Sequence, residues 1–279
     1  MSHDRYIQKL NDLFARHDFG INVTAKDFLF LDKVVTDKQS ENCSVSSQLS
    51  SFISPPIYNG EFFHYTGRDA TDAILDSRTL RLTSVAKRIN EEEIEGFLRE
   101  FGFTYPLSTD PITSKTKYRE SIAREIFYTS FTDTTLNQDE EQYFWDHFAG
   151  KDGARLKFRI NLQSGCLRRM VYGEDIKRWT GFFSELTKLT QTELGKVFFW
   201  SDSATVCALH LPHCYCNERE TRLITRRGCG LHLGNDGDIE YLELKFGLNE
   251  AIKVHLDLIE IQTNQPVPND FREIVRPRA

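Results

Sequence analysis

Residues 126–132 read Ile-Phe-Tyr-Thr-Ser-Phe-Thr, β-branched or aromatic at every position except Ser130. Such side chains lose rotamer freedom in a helix and suit a pleated, partly buried surface, so this stretch is a strand. One strand cannot be stable alone, and the chain must supply neighbours. Glu61–Gly67, Leu80–Ser84, Leu167–Tyr172, Ile239–Phe246 and Ala251–Ile261 carry strand patterns, and Ala154–Ile160 alternates strictly between apolar and polar residues. Between them, Asp69–Ser77 reads as a helix with Asp69 or Thr71 as its N-cap, and Ile176–Lys188 returns to helical spacing. A mixed α+β architecture follows.

The N-terminal region reads differently. Tyr6, Ile7, Leu10, Leu13 and Phe14 recur at helical spacing, and Phe28-Leu29-Phe30-Leu31 forms a second amphipathic segment, so residues 1–35 are expected to make a helical cap. Residues 36–54 are rich in Ser, Gln and Asn and run into Pro55-Pro56, the composition of a loop or linker. The expected organisation is an N-terminal extension over 1–56 and one domain over 57–279.

Charge and cysteine usage narrow the class. A net charge of −6 argues against a protein that coats nucleic acid, which needs a clustered basic excess to neutralise phosphates. Six cysteines without regular spacing do not form a disulfide framework and read as reduced thiols. The opening Met-Ser-His-Asp-Arg-Tyr lacks the apolar core of a secretory signal, and no run is long enough to span a bilayer. A soluble protein is expected, either cytoplasmic or exported without a cleavable signal.

The chemistry concentrates in Glu218-Arg219-Glu220, just before apolar Leu223 and Ile224. On an extended strand the two acids would share one face and Arg219 would point to the other. Alone, this pattern is either a solvated edge strand or a site carboxylate with a helper. Paired-acid glycoside hydrolysis does not fit, because its carboxylates must flank the substrate from opposite sides. No phosphate loop is present, since Gly228-Cys229-Gly230 and Gly234–Gly237 lack the strand-to-helix glycine patterns, and the latter reads as a hairpin turn. Cys207, His210, His213, Cys214 and Cys216 are zinc-type residues but have no CxxC pairing, so free thiols and histidines are the expectation. A thiol hydrolase built from Cys216 and His64 has no local sequence marker.

Taken in order, three motifs carry a resemblance. Phe63-His64-Tyr65-Thr66, a helix with Ala73-Ile74-Leu75 and then Leu80-Arg81-Leu82 resemble the opening of the ADP-ribosyltransferase superfamily. Tyr128-Thr129-Ser130-Phe131 is similar to that family's second motif, and Glu218-Arg219-Glu220 to its third, the Glu-x-Glu element whose second acid is catalytic. The likeness spans about residues 57–262. It departs from the Arg-Ser-Glu subgroup in having His64 in place of arginine, and from the His-Tyr-Glu subgroup in having Tyr65 adjacent to the histidine.

The resemblance implies an ADP-ribosyltransferase-like fold, two packed antiparallel sheets around an NAD cleft, with NAD as co-substrate. Glu220 would be the catalytic carboxylate, Ser130 would orient it, and Glu218 would face the acceptor as base or orienter. His64 and Thr66 would hold NAD hydroxyls, Tyr65 or Phe131 would stack on nicotinamide, and Arg81 and Asn90 would complete the cofactor set. Phe144-Trp145 resembles a feature of a bacterial branch with the same core. Within the superfamily the chain resembles the CteC-like bacterial effectors that ADP-ribosylate ubiquitin on threonine. That implies delivery into a host cytosol and a host protein as acceptor. The alternatives are a catalytically inactive interaction module on this fold and a nucleic-acid ADP-ribosylating toxin, the latter disfavoured by the acidic balance.

Overall fold

The computed structural model describes residues 3–38, 44–85, 125–211 and 213–263, with backbone alone at 174–178 and 203. It is α+β, and it divides into two compact units. The first draws on Met1–Pro55 and Val171–His213, the second on Pro56–Lys87, Arg124–Met170 and Cys214–Ala279. The boundary expected at residue 56 is therefore only half of the division. The N-terminal segment is not a free-standing extension, because it completes a unit with a segment from the middle of the chain. No helix among the described residues is long and apolar enough to cross a membrane.

In the first unit, α1 (His3–Arg16) buries the expected stripe of Tyr6, Ile7, Leu10, Leu13 and Phe14. Its partner is the helix Gly173–Leu194. The Tyr6 hydroxyl lies 3.0 Å from Thr190 Oγ1, and Lys9 and Arg5 pair with Glu193 at 2.5 and 3.3 Å. Burial pushes the Tyr6 phenol up to about 12, so it stays protonated.

Two expectations for this region are corrected. Phe28–Phe30 is a strand (β1), not a helix, because it faces another run of strand formers in β2 (Val34–Asp37). The strand β10 (Val197–Phe199) joins β2 in parallel, and β9 (Val171–Tyr172) pairs in parallel with β11 (His210–Leu211). The serine-rich stretch holds a helix, α2 (Val45–Ile53), whose buried Val45, Leu49 and Ile53 fall at i, i+4 and i+8. Ser44 caps it by accepting from the Ser47 N–H, and the buried Ser46 donates from its N–H and its hydroxyl to Asp37 at 2.9 and 2.6 Å. The serines satisfy backbone and carboxylate groups here and do not mark a loop.

The second unit is built on one sheet of eleven strands, all of whose pairings are antiparallel. Its centre is β6 (Ile126–Asp133). Along one edge of β6 runs β12 (Glu220–Arg226), in register from Glu220↔Thr132 to Arg226↔Ile126. Beyond β12 lie β8 (Leu167–Arg169) and β3 (Pro56–Ile57). The other edge of β6 forks. Its first residues pair with β5 (Thr79–Ser84) through Thr83↔Tyr128 and Ser84↔Phe127. Its last residues pair with β4 (Asn59–Thr66) through Phe62↔Asp133 and Phe63↔Thr132.

One wing then continues from β5 to β14 (Ile239–Lys245) and β13 (His232–Asp236). The other continues from β4 to β7 (Ala154–Leu162), β16 (Val254–Thr263) and β15 (Gly247–Asn249). The strands form one hydrogen-bonded path whose two wings part at β6, and side chains of both wings meet in one buried cluster. Between β4 and β5, helix α3 (Arg68–Ser77) is capped by Gly67, not by Asp69 or Thr71; Thr71 instead donates its hydroxyl to the Gly67 carbonyl at 2.9 Å.

Alternation along these registers sorts the side chains. Leu82, Phe127, Phe131, Phe158, Leu223 and Leu242 point to one face and belong to a single buried cluster. Tyr128, Ser130 and Thr132 point to the other, with Glu220 and Arg222 opposite them on β12.

Candidate active site

Glu220 opens β12 at the point where the chain leaves a 3₁₀ turn, His213–Glu218, through Arg219 at φ 43°. The left-handed Arg219 re-aims the backbone, so Glu218 and Glu220 are not two positions of one strand. The expectation that both acids share a strand face is corrected on that ground. The backbone of Glu220 is held by the Met170 N–H, which donates to its carbonyl at 2.9 Å.

Glu220 is 6% exposed, and both of its side-chain oxygens are engaged. Ser130, on the neighbouring strand, donates its hydroxyl to Oε1. Arg222 donates Nε to Oε1 at 2.8 Å and Nη2 to Oε2 at 3.1 Å, a forked pairing. Arg222 is 0% exposed, and its guanidinium carbon lies 4.0 Å from the centroid of the Tyr128 ring. A charge this deep is tolerated because the carboxylate, two positions away on the same strand face, matches the guanidinium geometry.

His64 reaches the same serine from the other side. Its Nδ1 donates to the Ser130 carbonyl at 2.8 Å, at the fork where β4 has parted from β6. By alternation His64 shares a face with Phe131, whose ring centroid is 5.9 Å from its own. Burial pushes the His64 pKa down against the smaller opposing effect of the Ser130 bond. The ring is therefore neutral, with the proton on Nδ1 and a lone pair on Nε2. His64, Ser130 and Glu220 thus form one hydrogen-bonded series, with the histidine and the carboxylate on opposite faces of β6.

The remaining cofactor candidates fall elsewhere. Phe131 is 2% exposed and packs against Phe62 and Phe158 in the core, so it has no ring face to offer a nicotinamide; that expectation is corrected. Tyr65 is buried in a second cluster, stacked on Phe144 at 5.1 Å and edge-on to Trp145 at 5.6 Å. Thr66 ends β4 opposite Ala154 and is half-buried. Arg81 is turned toward the β13–β14 hairpin, paired with Asp236 at 2.7 Å and lying over the Tyr241 ring at 4.2 Å, not toward Glu220. Asn90 lies outside the described residues.

Among the described residues no group of three or more His, Cys, Asp or Glu could hold a metal ion, and Cys166, Cys207, Cys214, Cys216 and Cys229 are free thiols. Burial pushes the Cys207 thiol well up, so it is not a reactive thiolate.

Sequence reasoning missed Arg222. Its signal was the same i, i+2 alternation that singled out Glu218 and Glu220, applied one step further along the strand. Comparison of the chain with protein-family profiles, with characterised proteins and with solved structures finds no match.

Proposed function

We propose that this chain transfers ADP-ribose from NAD to a side chain of another protein. The observation that carries the reading is the contact order around Ser130: the strand bearing Glu220, the strand bearing Ser130 and the strand bearing His64 lie side by side, and Ser130 bonds to both of the other residues. The three motifs come from positions 64, 130 and 220, and only the fold brings them together.

Cleavage of the nicotinamide–ribose bond develops positive charge on the sugar, so a fixed carboxylate beside it stabilises the transition state more than the ground state. Glu220 supplies that charge. Ser130 and Arg222 fix its orientation before substrate arrives, which removes reorganisation from the reaction. His64, on the opposite face of β6, acts through the Ser130 carbonyl and so holds the strand segment that presents the serine. The acceptor is proposed to be a hydroxyl on a host protein, with threonine on ubiquitin the first to test.

One observation favours a second reading, an inactive interaction module. The forked Arg222 pairing draws on the same carboxylate that catalysis needs. Incubation of the protein with NAD and a panel of acceptors, read by nicotinamide release and intact-mass spectrometry, separates the two. The enzyme reading expects nicotinamide release by wild type and its loss in Glu220→Gln. Absence of NAD consumption by wild type, or equal consumption by the two proteins, overturns it.

A further inference from the structure

Arg219 links two anchored points of the backbone. On its N-terminal side Thr132 donates its hydroxyl to the Glu218 carbonyl at 3.1 Å. On its C-terminal side Glu220 pairs with the same Thr132 in the register of β12 on β6, and its carbonyl accepts from the Met170 N–H at 2.9 Å. The chain joins the two through Arg219 at φ 43°, a left-handed conformation that crowds the Cβ of any residue but glycine. Relaxation of Arg219 to a negative φ would break one of these attachments. Glu220 is the first residue of β12, so its carboxylate would be the first group of the strand to move.

A strained backbone persists where its surroundings over-determine it. Helix α4 (Gln138–Phe144) supplies a restraint on the Arg219 side chain. Glu140 uses both carboxylate oxygens: Oε2 accepts from the Asn137 N–H at 2.9 Å and closes the capping box of its own helix, while Oε1 pairs with Arg219 Nη2 at 2.6 Å. The helix is itself fixed. Phe144 stacks on Tyr65 of β4 at 5.1 Å, and Glu141 forms an ion pair with Arg155 of β7. Glu140 thus holds the left-handed residue from a base that is anchored to the sheet.

We propose that Glu140 is a positioning residue for the reaction, and that its pairing with Arg219 holds the left-handed link that presents Glu220 to the sugar. The inference rests on the ADP-ribosyl transfer reading above. Glu140 touches no reacting atom. It acts in series, through the Arg219 backbone and then the first residue of β12, so its loss reaches catalysis only by displacing Glu220. Glycine adopts the left-handed conformation without strain, so a glycine at position 219 needs no such hold.

Purified full-length protein is incubated with NAD, and nicotinamide release gives kcat and KM for wild type, Glu140→Gln, Arg219→Gly and the double variant. Glutamine still closes the capping box, so Glu140→Gln removes the ion pair alone. It is expected to lower kcat about fivefold, the reach of one partly exposed ion pair, with KM for NAD within about twofold of wild type. Arg219→Gly is expected to stay within about twofold of wild type, and adding Glu140→Gln to it to change nothing further. Glu140→Gln equal to wild type, an equal fall in the glycine background, or Arg219→Gly as impaired as Glu140→Gln each overturns the proposal. Failure of wild type to release nicotinamide refutes the transferase reading itself. The urea midpoints of the same four proteins then test the hold on Arg219 alone: Glu140→Gln is expected to lower the midpoint of the arginine chain and not of the glycine chain, and equal shifts overturn it.

Discussion

Replacing Arg222 by methionine is the sharpest structural perturbation available. The guanidinium is fully buried, binds both oxygens of a carboxylate that is 6% exposed, and covers the Tyr128 ring. Methionine fills much of the same volume, so the loss is mostly electrostatic. Removing one partner of a buried ion pair typically costs about 3–5 kcal/mol, since the remaining charge loses its counter-ion. At about 2–4 °C per kcal/mol, that lowers the melting temperature by about 6–20 °C. Urea denaturation of wild type, Arg222→Met, Glu220→Gln and the double variant closes a thermodynamic cycle. The double variant is expected to be more stable than the sum of single losses predicts, by about 0.5–3 kcal/mol, because a neutral amide no longer needs the guanidinium. If Arg222→Met unfolds within about 1 kcal/mol of wild type, or if the single effects simply add, the pair does not hold this strand as argued.

Three further outcomes follow from the same geometry. Ser130→Ala removes a hydroxyl donor to a charged acceptor and is expected to cost about 1.5–3 kcal/mol in urea denaturation, with reduced NAD cleavage; unchanged stability would mean that Glu220 does not depend on this bond. Asn137 caps the helix Gln138–Phe144 by accepting from the Glu140 N–H at 3.0 Å, and Glu140 returns the bond, so Asn137→Ala should cost about 0.5–2 kcal/mol, measured by thermal melting; a change below that range would show the cap to be idle. His64 has its pKa depressed by burial, so the unfolded chain binds its proton first as pH falls below about 6.5. Stability therefore drops from that pH toward the lower native value and then levels off. His64→Asn, compared with wild type between about pH 7.5 and about pH 5, should lose less; equal losses would refute the assignment.

The sequence exposed strands wherever one physical signal dominated. Ile126–Thr132, rich in branched and aromatic side chains, became the centre of the sheet, and strict alternation marked β7 correctly. The helix over Val45–Ile53 was hidden because composition outweighed spacing: its serines suggested a loop, while three apolar residues one turn apart were enough to anchor it. Phe28–Phe30 was read as helix because its partner strand arrives only across the β1–β2 turn. At the site, Ser130 and Glu220 were singled out by the resemblance, and the register of β12 on β6 places them on adjacent strands with a bond between them. The pairing of Glu140 with Arg219 was not legible, since it joins a helix to a residue about 80 positions later in the chain. Phe131 looked like a stacking partner because a strand sequence does not reveal which face is the core until its register is known.

The split edge of β6 has a mechanical consequence. The strand carrying Glu220 spans the fork on the opposite edge without a break, from Thr132 to Ile126, and so acts as a splint across it. Flexing of one wing against the other would fall on the gap between β4 and β5, where His64 meets Ser130, and would leave the serine–glutamate pairing at constant length. The unbroken β6–β12 pairing thus makes the serine–glutamate side of the fork the stiffer one.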